Sequence, residues 1–379
     1  MSDQAIRIIG AGPAGLAMAA ELAHSGVRSV VLERADAVGA SWRERYDRLR
    51  LNTCRWTSTL PHSRYAKGTA LFPSRDETVR YLEDYAERHR LDIRFGTRVD
   101  RIEAADGRWE LHTSLGKDTA AQVVVATGYE HTPLIPRWPA RDRFQGHLLH
   151  AAEYRNANRF RGADALVVGP GCSGMEIAFD LVKGGAGRVR VAVRTQPNIM
   201  LRQSGGLPGD VPALALLSLP PRIADVPARL VRRLSVGDLS DYGLVPPAEG
   251  LFARYHRERK TPAIVDKEVL QAIRDGRIAI VAGLESFEQT GVTLADGTRI
   301  KPEVVIAATG YSRGLEPLVG HLGVLDERGV PRVHGGPAAA PGLRFVGYAP
   351  RPGQIGHMGR EARQATKQIN NEAKVTVGA

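Results

Sequence analysis

Two cysteines in 379 residues, Cys54 and Cys172, stand too far apart for a CxxC redox pair or a zinc ribbon and are too few for a disulfide framework. Long apolar runs are missing as well. None reaches the roughly 18 residues needed to span a bilayer, and Met1-Ser2-Asp3-Gln4 precede the first strand without a basic-then-apolar leader. A cytoplasmic protein with no membrane partner is expected. Aromatic residues make up only 6% of the chain, and acids are outnumbered, 41 Asp+Glu against 52 Lys+Arg, for a formal charge of +11. Lysine is scarce, with 8 against 44 arginines. Those arginines are scattered, and no zinc finger or aromatic RNP motif accompanies them, so solvated charge with affinity for anionic cofactors is favoured over nucleic-acid binding. A hydrophobic share of 43% and a charged share of 25% exclude disorder, and the length suits two or three domains at about 150 residues each.

What is present begins with Ala5-Ile6-Arg7-Ile8-Ile9, then Gly10-Ala11-Gly12-Pro13-Ala14-Gly15, then Leu16, Met18, Ala19, Leu22 and Ala23 at helical spacing. This predicts strand, turn and helix. A second strand, Ser29-Val30-Val31-Leu32, ends in Glu33 and Arg34. In this pattern Gly10 permits a tight turn, Gly12 lets backbone approach a pyrophosphate, Gly15 lets helix pack on strand, and Glu33 accepts from a ribose 2′-hydroxyl. The helix N-terminus adds free N–H groups and positive potential. Farther on, Ser74 and Glu77 form a capping box ahead of a helix, a hairpin turns at Asp106-Gly107, and the buried strand Gln122-Val123-Val124-Val125-Ala126 ends in Thr127-Gly128-Tyr129.

The same order of elements then recurs. Ala165-Leu166-Val167-Val168 predicts a strand, Gly169-Pro170-Gly171-Cys172-Ser173-Gly174 repeats the glycine turn, and Met175 onward opens a helix. The next strand, 189–193, ends in Arg194-Thr195 instead of an acid. Residues 278–300 predict strands with turns at Thr290-Gly291 and Asp296-Gly297, and Val304-Val305-Ile306-Ala307-Ala308 ends in Thr309-Gly310-Tyr311. Residues from about 205 to 260 are rich in Pro, Leu and Arg, and are expected to form a helical insertion or lid. A short strand at 342–347 and a final helix from about Met358 to Glu372 complete the pattern.

Two glycine cradles predict two dinucleotides. A carboxylate at Glu33 suits a bare ribose, as in FAD or NAD, whereas Arg194 offers a guanidinium to a 2′-phosphate, so the second site is expected to prefer NADPH. A flavin beside a nicotinamide implies hydride transfer to the flavin, followed by an electron acceptor. Disulfide substrates are disfavoured by the missing cysteine pair, which leaves dioxygen or a quinone. The alternatives are a reductase or oxidase passing electrons to quinone or O2, and a basic binding protein that has lost catalysis.

Phe144-Gln145-Gly146-His147-Leu148-Leu149-His150-Ala151-Ala152-Glu153-Tyr154 fits FxGxxxHxxxY, and in this the chain resembles the flavin-containing monooxygenases. Val168 to Glu176, Val193-Arg194-Thr195, Tyr242-Gly243-Leu244 and Lys260-Thr261-Pro262 further resemble the YUCCA-type indole-3-pyruvate monooxygenase branch. The resemblance covers nearly the whole chain. It implies an FAD- and NADPH-dependent monooxygenase that activates O2 as a flavin C4a-(hydro)peroxide and oxygenates a small molecule, by N- or S-oxygenation or by oxidative decarboxylation of a 2-oxo acid. It also implies that the segment with Phe144, Gly146, His150 and Tyr154 links the two nucleotide domains, and that Asn52 serves the oxygenation step. His147, His150 and Glu153 would share a helix face, but the family motif accounts for His150 without a metal.

The expected architecture is α/β, with two Rossmann-like domains, each carrying a small β-meander, plus the helical insertion. The FAD domain is expected at 1–140 and 302–379, and the NADPH domain at 141–301. Expected cofactor contacts are Gly10, Gly12, Pro13, Ala14, Gly15, Glu33, Arg34, Trp42, Asn52, Val99, Thr127, Gly128, Gly169, Gly171, Cys172, Ser173, Gly174, Arg194, Thr195, Thr309, Gly310, Gln354 and Ile355. Oligomeric state is not legible.

Overall fold

The computed structural model describes residues 5–259 and 262–378. They divide into two compact units, one of Met1–Arg43, Arg55–Thr132 and Tyr311–Ala379, the other of Glu44–Cys54 and Pro133–Gly310.

In the first unit Ile6–Ile9 lies at the centre of a six-stranded sheet. It pairs in parallel with Ser29–Leu32 on one side and Val123–Val125 on the other, and Leu343–Phe345 and Ile93–Arg94 extend the sheet. Strands such as Val123–Val125 are apolar throughout because helices and loops bury both faces of a parallel sheet. Two arginines nonetheless occupy this core. Arg7 is held by a fork to Asp118 at 2.7 and 2.9 Å, and fully buried Arg344 is held by Gln122 and Glu372. Pro13–His24 opens with proline in its first turn, where the missing N–H costs nothing, and packs on the C-terminal helix Gln354–Gly378. The capping box at Ser74 and Glu77 starts Arg75–Arg88, and the meander Val99–Ala105, Arg108–Thr113, Gly116–Ala120 turns at Asp106 and Gly107, both at positive φ.

The second unit repeats the plan. Its five parallel strands run in the order Ala279–Ala282, Arg188–Val193, Asp164–Val168, Val304–Ala307, His147–His150. A meander follows at Leu284–Glu288, Gly291–Leu294 and Arg299–Ile300. The insertion forms the helices Asp210–Leu216, Pro221–Ser235 and Leu251–Glu258, with a small core of Ala213, Ala224 and Phe252.

Three expectations change. The division falls at 132/133 and 310/311, not at 140/141 and 301/302, because Val304–Ala307 pairs with Asp164–Val168 and so completes the second sheet. Glu44–Cys54, which carries Asn52, also joins the second unit. The segment with Phe144, Gly146, His150 and Tyr154 supplies an edge strand inside the second unit instead of a shared helix face. Each motif position there has a packing reason. Phe144 packs edge-on against Phe287 at 5.1 Å, and a Cβ on Gly146 would come within 2.4 Å of the Phe144 ring and 2.8 Å of the Glu303 carbonyl. The Tyr154 hydroxyl donates to Asp180 at 2.7 Å.

Two glycine cradles and the buried network beside the second

The glycine turn of the first unit is explained by close approach at two of its three glycines. Gly10 has φ +105°, and a Cβ there would lie 2.8 Å from the Ala126 carbonyl oxygen. A Cβ on Gly15 would lie 1.9 Å from the Gly10 carbonyl oxygen. Gly12 is different. Its backbone is extended, and nothing lies within 4 Å of where its Cβ would be. Packing does not ask for glycine at 12; the open space above it and the acceptor-free N–H groups at the helix N-terminus suit a pyrophosphate.

The second unit reproduces this geometry. Gly169 has φ +116° and would place a Cβ 2.5 Å from the Ala308 oxygen, Gly174 would place one 1.9 Å from the Gly169 oxygen, and Gly171 has nothing within 4 Å. The helix hydrogen bonds also match: Leu16 N–H to Gly12 O and Met175 N–H to Gly171 O, both at 3.0 Å. Thr127-Gly128 and Thr309-Gly310 close the neighbouring strands in equivalent fashion, with φ +88° at Gly128 and +87° at Gly310. Thr309 and Gly310 belong to the same unit as the second cradle.

The cradles part company at the end of the next strand. Glu33 is nearly buried and accepts from Ala11 N–H at 2.6 Å and Ala35 N–H at 2.9 Å. It thus also fixes the turn, and keeps lone pairs for a ribose hydroxyl. At the corresponding place Arg194 and Thr195 are exposed, and Arg194 has no ion pair among the described residues. Other expected contacts distribute by unit. In the first, Arg34 meets His131 at 3.2 Å, and the Thr127 and Tyr348 hydroxyls are 2.8 Å apart. Trp42 is on the short helix Ala40–Arg43, Val99 begins the meander, and Gln354 and Ile355 open the last helix. The Gln354 amide nitrogen is buried without a partner, an orphan donor of the kind a bound cofactor satisfies. In the second unit, the Cys172 thiol donates to Pro262 O at 3.4 Å and accepts from Ile264 N–H at 3.2 Å. Cys54 and Cys172 form no disulfide with each other. Lys260 and Thr261 of the Lys260-Thr261-Pro262 motif lie outside the described residues.

His150 is buried, and its ring Nε2–H donates to Gly310 O at 3.0 Å while Nδ1 accepts from Ala152 N–H at 3.0 Å. Burial lowers its pKa, which keeps the ring neutral and its donor and acceptor assigned. Glu153 accepts from the His150 N–H at 2.9 Å, and this strand-and-turn geometry replaces the shared helix face.

One cluster was not anticipated from the sequence. Arg202 is buried between Glu176, with which it forms a close ion pair, and Asp266 at 2.5 Å, and it also donates to the Asn52 side-chain oxygen at 3.4 Å. The Tyr46 hydroxyl donates to the other Glu176 oxygen at 2.6 Å. Burial pushes the Glu176 carboxyl up, while Arg202 and the Tyr46 hydroxyl pull it down. A guanidinium can only donate, so it holds the Asn52 oxygen and leaves the amide NH2 as the group Asn52 offers elsewhere. The one available signal was Glu176 itself, a charge at a buried position of the helix Met175-Glu176-Ile177-Ala178.

The family model for pyridine nucleotide-disulphide oxidoreductases matches residues 7–203. The indole-3-pyruvate monooxygenase YUCCA1 of Oryza sativa subsp. japonica is 35% identical over 332 residues, which cover 86% of this chain and 81% of that protein. YUCCA8 of Oryza sativa subsp. indica is 34% identical over 381 residues, covering 96% and 90%. Among solved structures, the flavin-containing monooxygenase from Stenotrophomonas maltophilia has the same fold, with a TM-score of 0.76, 23% identity, and coverage of 98% of this chain and 99% of that one. Cyclohexanone monooxygenase in its open form matches at a TM-score of 0.71 and 18% identity, over 98% of this chain and 88% of that one. With two glycine cradles and no cysteine pair, the chain belongs to the flavin monooxygenases of the pyridine nucleotide-disulphide oxidoreductase fold, on their YUCCA-type branch, and is an enzyme that uses FAD and NADPH to oxygenate a small molecule.

Proposed function

We propose that the first unit holds FAD, the second holds NADPH, and the small molecule is an aryl 2-oxo acid that loses carbon dioxide. The substrate class is carried by the identity of 31–35% to proteins named for indole-3-pyruvate, across 86–96% of this chain. The overall change balances as 2-oxo acid, O2, NADPH and a proton giving the one-carbon-shorter acid, CO2, NADP+ and water. Bound FAD would take the hydride and supply the oxygen chemistry. The protein's part is to bind, orient and exclude water. Gly12 and Gly171 admit the two pyrophosphates, Glu33 accepts from the FAD ribose, and Arg194 forms charge-assisted hydrogen bonds to the 2′-phosphate of NADPH. Asn52, turned by Arg202, presents its NH2 as a fixed donor for the oxygenation step. A cytoplasmic setting is part of this reading, supported by two cysteines that form no disulfide.

Incubating the holoenzyme and NADPH with indole-3-pyruvate or phenylpyruvate should give the shortened aryl acid and CO2 in equal amounts. Formation of oxides only, from a panel of amines and sulfides, would move the substrate class to N- or S-oxygenation. Arg194→Ala should raise KM for NADPH by about 10- to 150-fold, the equivalent of one hydrogen bond of roughly 1.5–3 kcal/mol to a charged group, and leave KM for NADH nearly unchanged. Equal effects on both nucleotides would refute the 2′-phosphate assignment. Asn52→Ala should keep its flavin but divert NADPH oxidation from product to hydrogen peroxide; unchanged coupling would take Asn52 out of the site.

A further inference from the structure

The helix Pro221–Ser235 of the insertion is amphipathic in an unusual sense, because its outer side is apolar. Its inner side is fixed by two contacts. Ala224 packs in the core with Ala213 and Phe252, and Asp225 accepts from Phe252 N–H at 2.7 Å and Ala253 N–H at 3.2 Å, so it caps the helix Leu251–Glu258. With that side pinned, Ile223, Val226, Leu230 and Leu234 recur at i, i+3, i+7 and i+11 on the side facing away. They are 57%, 68%, 57% and 77% exposed, and Val231 beside them is 52% exposed. Along one flank of this row run Arg222, Arg229 and Arg233, also at i, i+7 and i+11 and also exposed. The helix has a single acid, Asp225, which is buried in its cap. The outer surface of the helix is therefore apolar and cationic, with no acid.

We propose that this face docks on an anionic lipid surface, with the helix lying flat, its apolar row entering the acyl boundary and its arginines meeting lipid phosphates. Charge selects this occupant. A second copy of a chain with formal charge +11 would bring a like arginine row against this one, whereas a phosphate-bearing surface neutralises it and still covers the apolar row. Among the described residues no helix is long and apolar enough to cross a membrane, so attachment is peripheral and reversible. This departs from the expectation of no membrane partner, and it does not depend on the substrate class proposed above.

Flotation of the full-length holoenzyme with vesicles tests it. The protein should float with vesicles of phosphatidylcholine and phosphatidylglycerol, much less with phosphatidylcholine alone, and high salt should release it. The double substitution Leu230→Ser with Leu234→Ser, and separately Arg222→Gln with Arg229→Gln and Arg233→Gln, should each weaken binding to the anionic vesicles. The arginine set should lose about a hundredfold, at roughly fivefold per charge. Both sets alter exposed side chains, so activity toward soluble substrate should remain. Absence of flotation with anionic vesicles overturns the proposal, as does flotation that neither set alters. Self-association that the leucine pair abolishes, without vesicle binding, would reassign the row to a contact between copies and equally overturn it.

Discussion

Gly12→Val is expected to give a folded protein that is colourless and takes up no added FAD, whereas Gly171→Val remains yellow but is no longer reduced by NADPH. The reasoning rests on the difference between glycines needed for packing and glycines needed for access. At positions 12 and 171 the backbone is extended, which valine accepts, and the space above is empty of protein. A branched side chain there costs the fold little but occupies the place where a pyrophosphate must approach the helix N-terminus. Losing two charge-assisted hydrogen bonds, at about 1.5–3 kcal/mol each, corresponds to more than a hundredfold in affinity. Gly15→Ala is the contrast. Its methyl would meet the Gly10 carbonyl at 1.9 Å, so the turn itself must move and the folded protein should be lost. Flavin absorbance, circular dichroism and anaerobic NADPH titration separate the three outcomes. A yellow Gly12→Val would remove FAD from the first unit.

Arg202→Met is expected to lower stability by about 3–5 kcal/mol, because Glu176 is then a buried carboxylate without its cation. Asp266 is less affected, being 37% exposed and able to rely on water. For a chain unit of this size the change corresponds to a fall of roughly 10 °C in Tm. Glu176→Leu together with Arg202→Met should recover most of the loss, since a buried ion pair replaced by apolar side chains is often neutral. Thermal unfolding of the two single variants and the double variant forms the cycle. Additive losses would mean that the pair does not interact as described. The stable double variant serves a second purpose: its Asn52 amide is no longer held by a guanidinium, so peroxide formation per NADPH should rise even though the fold is restored.

Both cradles were legible from residue spacing because each is a local device, completed within about six residues of one turn. The same is true of the capping box at Ser74 and Glu77 and the hairpin turn at Asp106-Gly107. What was not legible depends on partners far away in the chain. The unit boundary after Gly310 follows from the pairing of Val304–Ala307 with Asp164–Val168, about which the apolar run itself says nothing. The Phe144 to Tyr154 segment was visible as a motif but not as an edge strand, since its helix-like spacing of histidines and its strand pairing can be told apart only by the register with Val304–Ala307. Asn52, Glu176 and Arg202 are separated by 124 and 26 positions, and only the fold brings them together.

The most direct test is NADPH-supported turnover under 18O-labelled dioxygen. The account predicts that one labelled oxygen atom enters the organic product and one enters water for each NADPH oxidised, with little peroxide. NADPH oxidation whose label goes entirely to peroxide or water, with none in an organic product, would contradict it.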